Sequence, residues 1–164
     1  MTNFNKIIDN LIENISNLLI VLLLSMIMMI FISVLFRSFF NINFIALQEL
    51  VMYFHAAIFM FGIGLALRED AHVKIDVIYS TLSRQIKYYI SLAGIILFII
   101  PMSIFLIYIS MDMTIQSWSI LEGSSEAGGL NLVFILKSII PLTGLLILLL
   151  SISQLLKINK EHKK

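Results

Sequence analysis

The chain has 164 residues, of which 60% are hydrophobic and only 13% are charged, and its formal net charge is +1. Its mean hydropathy is +1.02, whereas a soluble domain carries roughly a quarter of its residues charged. This composition excludes a soluble globular domain and indicates a chain whose main solvent is lipid. The 11 Lys and Arg form no continuous basic groove, so no nucleic-acid partner is expected. With no cysteine, the chain has no disulfide, thiolate metal site or Cys nucleophile.

Four apolar stretches are long enough to cross a hydrocarbon core of about 30 Å, which needs ~20 helical residues. A bilayer offers no water to unpaired backbone groups, so all four are predicted to be helices. The predicted spans are residues 15–36, 47–67, 88–110 and 132–156. We therefore predict an all-α integral membrane protein with four transmembrane helices, forming a single membrane domain over residues 1–164.

The distribution of Lys and Arg predicts the orientation of these spans. Nine basic residues lie in the N-terminal tail, the loop 68–87 and the C-terminal tail, against Arg37 alone on the other side. We therefore expect both termini and the loop 68–87 to be cytoplasmic and the loop 111–131 to be periplasmic. This arrangement is typical of a multi-pass protein of the bacterial inner membrane.

Two amphipathic segments predict short helices lying at the membrane surface. In residues 3–14 the apolar side chains recur at helical spacing just before the first span. In residues 77–87, Ile78, Leu82 and Ile86 recur every four residues, and the polar residues occupy the other side. Both segments are expected on the cytoplasmic side.

Three ionisable residues lie inside the predicted spans, where such groups are unfavourable and suggest a function. Glu49 is near the outer end of the second span, and His55 lies nearly two turns deeper. Lys137 is close to the outer end of the fourth span, where its long side chain can reach the interface. Anchoring of helices or pairing with a partner is favoured over a proton relay, because residues near a single membrane edge form no path across it.

Other chemistry has little support in the sequence. Asp70, His72 and Asp76 could ligate a metal, but they share an exposed loop with basic residues and lack a recognised metal spacing. A membrane haem needs His ligands on facing helices, and His55 has no such mate. Phosphate-binding and nucleophile motifs are missing. We therefore expect no metal, no cofactor and no enzymatic activity.

Pro101 and Pro141 fall within predicted spans, where each removes a backbone donor and favours a kink. Packing is favoured over a gating hinge at both. Gly62 and Gly64 belong to a small-residue region of the second span that permits close approach of a neighbouring helix.

Two segments outside the spans combine charged and apolar residues in patterns that packing alone does not explain. Residues 66–77 alternate charges with Ala and Val, which suits a strip lying against a membrane or a protein. Residues 117–130 combine the interfacial Trp118 with Glu122, Glu126 and a glycine turn.

Together with residues 136–142, these segments resemble the small four-helix membrane subunit of tripartite ATP-independent periplasmic (TRAP) transporters. The resemblance covers about residues 15–156 in the same order and topology. Its most specific part is the R-E-D-A-H-V-x-x-D string at residues 68–76, and the Gln-Glu-Leu at residues 48–50 also resembles the family. Asn131 stands where many relatives have proline, which affects no expected role.

The resemblance implies that this chain carries no substrate itself. It implies a large membrane subunit of about twelve spans with the sodium and substrate sites, and a periplasmic binding protein that delivers an organic anion. The small subunit would scaffold the large one in the lipid, and it could contact the binding protein directly. The form of residues 117–130 resembles the subgroup associated with 2-oxo acids and other small carboxylates.

The resemblance also implies roles for particular residues. The cytoplasmic contact with the large subunit would involve Arg68, Asp70, His72 and Asp76. The candidate subunit-interface or structural residues are, in full, Glu49, His55, Arg68, Asp70, His72, Asp76, Trp118, Glu122, Ser124, Glu126 and Lys137. Two other functions stay open on the residues alone: a membrane anchor for a redox complex, or a small stand-alone channel or exporter.

Overall fold

The computed structural model describes residues 3–68 and 82–162, and most of them are helical. The elements in chain order are α1 (Asn3–Phe40), α2 (Ile45–Arg68), α3 (Arg84–Gly94), a π-helical turn (Ile95–Ile99), α4 (Ile100–Ser119) and α5 (Val133–His162). In these ranges, four helical stretches are long and apolar enough to cross a membrane, α3 and α4 counting as one. The predicted all-α membrane fold is confirmed, and the chain is a multi-pass membrane protein.

The helices pack side by side with α5 in the middle. α4 packs along one side of α5 and α2 along the other, while α1 packs mainly on α2. At one end of the bundle, here called the terminal end, α1 also meets α5, and Asn5 hydrogen-bonds with Ser153. At the opposite end, the loop end, residues 120–132 connect α4 to α5. Because α2 and α4 both pack on α5 without sharing a seam, a space is left between them.

The compact apolar core lies towards the terminal end of the bundle. It consists of Ile8, Ile12, Leu67, Leu146, Ile147 and Leu150. Elsewhere many of the large apolar side chains face outward, as at Phe98 and Tyr108. Lipid tails are as apolar as leucine, so this exposure is not unfavourable in a bilayer. Packing between the helices therefore depends on shape and polar contacts more than on burial of apolar area.

Small and hydroxylated side chains close the seam between α4 and α5. Ser103, Ser110 and Thr114 are buried at intervals of seven and four residues on one face of α4. Gly144 of α5 lies against this face, where a Cβ atom would stand 2.8 Å from Ile107 Cγ1 and 3.1 Å from the Ser103 carbonyl oxygen. The two backbones therefore approach closely, as small residues permit in membrane helices.

Each proline is matched by a local change in hydrogen bonding. Pro101 directly follows the π turn, where the Ile100 N–H donates to the carbonyl of Ile95, so the helix passes the proline without ending. Pro141 cannot donate to the carbonyl of Lys137. The Thr114 hydroxyl of α4 approaches that carbonyl at 3.4 Å while donating to its own helix at Ser110. The carbonyl that Pro141 leaves free thus faces the Thr114 hydroxyl across the seam between α4 and α5.

The prediction of a separate surface helix at residues 3–14 is wrong. α1 runs without a break from Asn3 to Phe40, about 57 Å at 1.5 Å per residue. A helix of this length must tilt or extend beyond the hydrocarbon core. The amphipathic pattern has a different cause: Ile8 and Ile12 are buried in the core at the terminal end.

The other connections also differ from the predicted boundaries. α4 continues to Ser119, so residues 111–119 are helical and the connection to α5 comprises residues 120–132. The predicted surface helix at residues 77–87 falls partly outside the described residues. Its last part, from Arg84, forms the first turn of α3, capped by the Ser83 hydroxyl.

Candidate functional site

Glu49, in the first turns of α2, holds the connection between α4 and α5. Its Oε2 accepts the backbone N–H of Leu130 at 2.6 Å, and its Oε1 accepts the hydroxyl of Ser124. The connection is also folded on itself, because the Ser124 N–H donates to the Leu130 carbonyl at 2.9 Å. Glu49 therefore accepts hydrogen bonds from two groups of this loop, although the loop is far from Glu49 in the sequence.

Two glycines make this arrangement possible. Gly128 has a φ of +84°, a left-handed conformation that L side chains rarely adopt. At Gly129, a Cβ atom would stand 2.7 Å from Glu49 Oε1 and still closer to the Ser124 side chain. The glycine turn in the sequence is thus the condition for Glu49 to reach the loop.

Glu122 and Lys137 form an ion pair at the same end of the bundle. Lys137 Nζ lies 2.5 Å from Glu122 Oε2, and both side chains are partly exposed. The Lys137 ammonium is the main cause that holds the pKa of Glu122 below its ordinary value. Lys137 therefore has a carboxylate partner within the chain and fixes the start of the loop to α5.

Trp118 lies in the last turn of α4 and attaches that turn to α5. Its Nε1 donates to Ser138 Oγ at 2.7 Å, and its ring meets Phe134 edge-on with 4.7 Å between centroids. Glu126 is exposed, and its backbone N–H donates to Ser124 Oγ at 3.1 Å. Four predicted residues (Glu49, Ser124, Glu122 and Lys137) are thus brought together in two pairs that secure one loop.

His55 is separate from these pairs. It is exposed on the side of α2, where its ring stacks on Phe59 with centroids 6.5 Å apart. It lines a groove of about 490 Å³, which we call the α2/α4 groove. Its lining residues are His55, Ala56, Phe59, Met60, Met113, Leu136, Lys137, Ile139 and Ile140.

At the terminal end, Asp9 of α1 lies between two basic side chains. Arg68 Nη2 is 3.5 Å and Lys157 Nζ 3.2 Å from its Oδ1. Gln154 Nε2 also donates to the Leu67 carbonyl at 2.6 Å, an acceptor left free at the end of α2. Asp9 was not among the predicted residues. Its signal in the sequence is an acidic residue directly after the apolar Ile7 and Ile8, within the segment 3–14.

Of the predicted cytoplasmic residues, Arg68 is placed by the structure, while Asp70, His72 and Asp76 lie outside the described residues. Among residues 3–68 and 82–162, no group of three or more His, Asp or Glu is arranged to hold a metal ion. In the described residues, the paired charges and hydrogen bonds serve to hold the two ends of the helical bundle together.

Comparison with known proteins adds one positive finding. A family model described as "Tripartite ATP-independent periplasmic transporters, DctQ component" matches residues 26–160. No curated protein matches the chain. The matched range covers α2 to α5 almost entirely, together with the C-terminal part of α1, residues 26–40.

Proposed function

The chain belongs to the DctQ family, the small permease component of TRAP transporters, and on that premise we propose that it scaffolds the large membrane subunit. In this proposal the large subunit carries out sodium-driven uptake of an organic acid that a periplasmic binding protein delivers. Membership of this family favours a transporter component over the redox anchor and the stand-alone channel. The chain contributes no substrate site and no catalytic step.

The observation that supports a scaffold is the way in which polar groups are used inside the bundle. The buried hydroxyls of Ser110, Thr143 and Ser151 each donate to a carbonyl of their own helix. The charged pairs lie at the two ends and not along the spans. A transport path needs polar side chains turned towards a cavity, whereas these hydroxyls are buried and already bonded within their own helices.

The proposal also includes the orientation of the chain and the membrane that contains it. We expect the terminal end on the cytoplasmic side of a bacterial inner membrane, because Lys and Arg are in excess near that end. The loop end, with the Glu49 and Glu122 contacts, then faces the periplasm, where the binding protein would approach. Arg68, Asp70, His72 and Asp76 would contact the large subunit at the cytoplasmic side.

The test is reconstitution with and without this chain. Liposomes containing the large subunit, with the binding protein and substrate outside, should take up organic acid under a sodium gradient only when this chain is present. Liposomes with this chain alone should show no uptake. Uptake by this chain alone, or full uptake without it, would show that it does not act as a scaffold.

A further inference from the structure

The α2/α4 groove contains the side chain of His55, for which the described residues offer no polar partner. Its lining is almost wholly apolar, formed by α2, α4 and α5. His55 lies ten residues into α2, about 15 Å along the helix axis from Ile45, near the middle of a bilayer about 30 Å thick. Within residues 3–68 and 82–162, His55 makes no hydrogen bond or ion pair; its ring contacts Phe59.

The other ionisable side chain in the groove is already engaged. Lys137 is bound to Glu122 at the loop end, and the neighbouring Glu49 is occupied by the loop. Among the residues that line the groove, His55 is therefore the one whose hydrogen-bonding capacity the described part of the chain leaves unused. Ionisable side chains at this depth almost always face another protein segment or a polar cavity, because lipid tails offer no hydrogen bond.

The shape of the groove fits a helix of another membrane protein. α5 forms its floor, and α2 and α4 form its walls because they do not pack on each other. Ala56, next to His55 in the groove lining, has a small side chain, which permits a close approach of a second backbone. A phospholipid could place an acyl chain there, but its head group would stay at the interface, about 15 Å from His55.

We propose that the α2/α4 groove receives a transmembrane helix of the large transporter subunit, which presents a hydrogen-bond acceptor to His55. This inference rests on the proposed scaffold function and assigns it to one face of the bundle. His55 fixes the register of the incoming helix, and Phe59 and Met113 form the apolar rims on either side of it. The exposed outer faces of α1 and α4 face lipid.

The absence of cysteine from the chain permits a direct test with single cysteines. A benzophenone maleimide is attached at Phe59→Cys or Met113→Cys, in membranes that contain the complete transporter, and irradiated. Both positions should give an adduct with the large subunit. The matched controls are Tyr108→Cys, on the outer face of α4 and 81% exposed, and Leu24→Cys on α1, 59% exposed. Neither control should react with the large subunit.

Substitution of His55 tests the polar contact separately. His55→Leu should weaken the affinity between the two purified subunits about 3- to 18-fold, the range of one hydrogen bond between membrane helices. His55→Gln should retain most of the affinity, because an amide still offers a donor. Ala56→Phe should weaken association further by filling the groove. The emission of Trp118 reports whether each variant keeps the native packing of α4 on α5.

The outcomes separate this inference from the proposed function. Adducts with a second copy of this chain, adducts with lipid alone, or reaction of the large subunit only at Tyr108→Cys or Leu24→Cys would overturn the groove assignment and leave the scaffold function standing. Equal affinities for wild type and His55→Leu would overturn the polar contact. If the two subunits fail to associate at all, the scaffold function fails with it.

Discussion

The two seams of α5 are built in opposite ways. Towards α4, small residues and hydroxyls bring the two backbones together, with Gly144 against the Ser103 carbonyl. Towards α2, Gly64 meets the flexible ends of Leu146 and Leu150 in the terminal half, and the loop half opens into the α2/α4 groove. The α4 seam is therefore closed within the chain, whereas the α2 side leaves the groove that we propose a helix of the large subunit fills.

The largest effect is expected from Gly144→Ala. The added methyl group would lie 2.8 Å from Ile107 Cγ1 and 3.1 Å from the Ser103 carbonyl, and a backbone atom cannot move aside. Overpacking of this kind destabilises by about 1–3 kcal/mol. Thermal unfolding in detergent, followed by the emission of the single tryptophan, Trp118, measures the loss.

Gly62→Ala is the matched control, because nothing lies within 4 Å of its added methyl group. Alanine favours a helix over glycine by up to about 1 kcal/mol, so this variant should be as stable as wild type or slightly more so. Equal destabilisation by both substitutions would mean that the α4 seam is not tightly packed.

Gly64→Ala should have a smaller effect than Gly144→Ala. Its methyl group would lie 2.7 Å from Leu146 Cδ2, the end of a flexible side chain that can rotate away. We expect a loss below about 1 kcal/mol, with the helix propensity of alanine offsetting part of it. The same unfolding experiment checks this expectation. A loss of stability as large as that of Gly144→Ala would show that the two seams are equally rigid.

Thr114→Val removes the hydroxyl that approaches the carbonyl freed by Pro141, while it keeps the shape of the side chain. The expected loss is about 0.6 kcal/mol, the average for such contacts between membrane helices. Thr143→Val is the control, because the Thr143 hydroxyl donates to Ile139 in its own helix. If the two variants unfold at the same temperature, the contact across the seam contributes nothing.

The smallest effect is expected from acid titration of the Glu122–Lys137 pair. The folded-state pKa of Glu122 lies below its ordinary value, so the pair stabilises fully above that ordinary value. This stabilisation is lost as the pH falls through the lowered pKa. Trp118 emission should then report loosening of the nearby loop, and Glu122→Gln should lack this step. An identical acid profile in the variant would assign the transition to another carboxylate.

Much of the fold could be predicted from the sequence, for a simple reason. A bilayer demands about 20 apolar residues per span and helical backbone throughout, so the four spans are visible in the hydropathy alone. The role of residues 3–14 was not visible, because an amphipathic helix on a membrane surface and one packed on other helices share one periodicity. Asp9 was missed for that reason.

The residues of the candidate site could be predicted from the sequence, but the contacts between them could not. Glu49 and Lys137 were selected as ionisable residues inside predicted spans. Glu122 and Ser124 were selected as candidate interface residues, and the structure joins the four in two pairs. Glu49 and Ser124 are 75 residues apart, and no local pattern indicates that they meet. The proposed interface roles of Asp70, His72 and Asp76 stay predictions, since these residues lie outside the described ones.

The sequence by itself determined that the chain crosses a membrane four times, and its motifs resemble a transporter subunit. The periodicity of apolar residues and the avoidance of charge in lipid are local properties, so they can be read along the chain. The tertiary structure alone decided which seam of α5 is closed and which is open. That outcome depends on contacts between residues remote in sequence: Gly144 lies against the backbone of α4, whereas Gly64 faces the flexible side chains of Leu146 and Leu150.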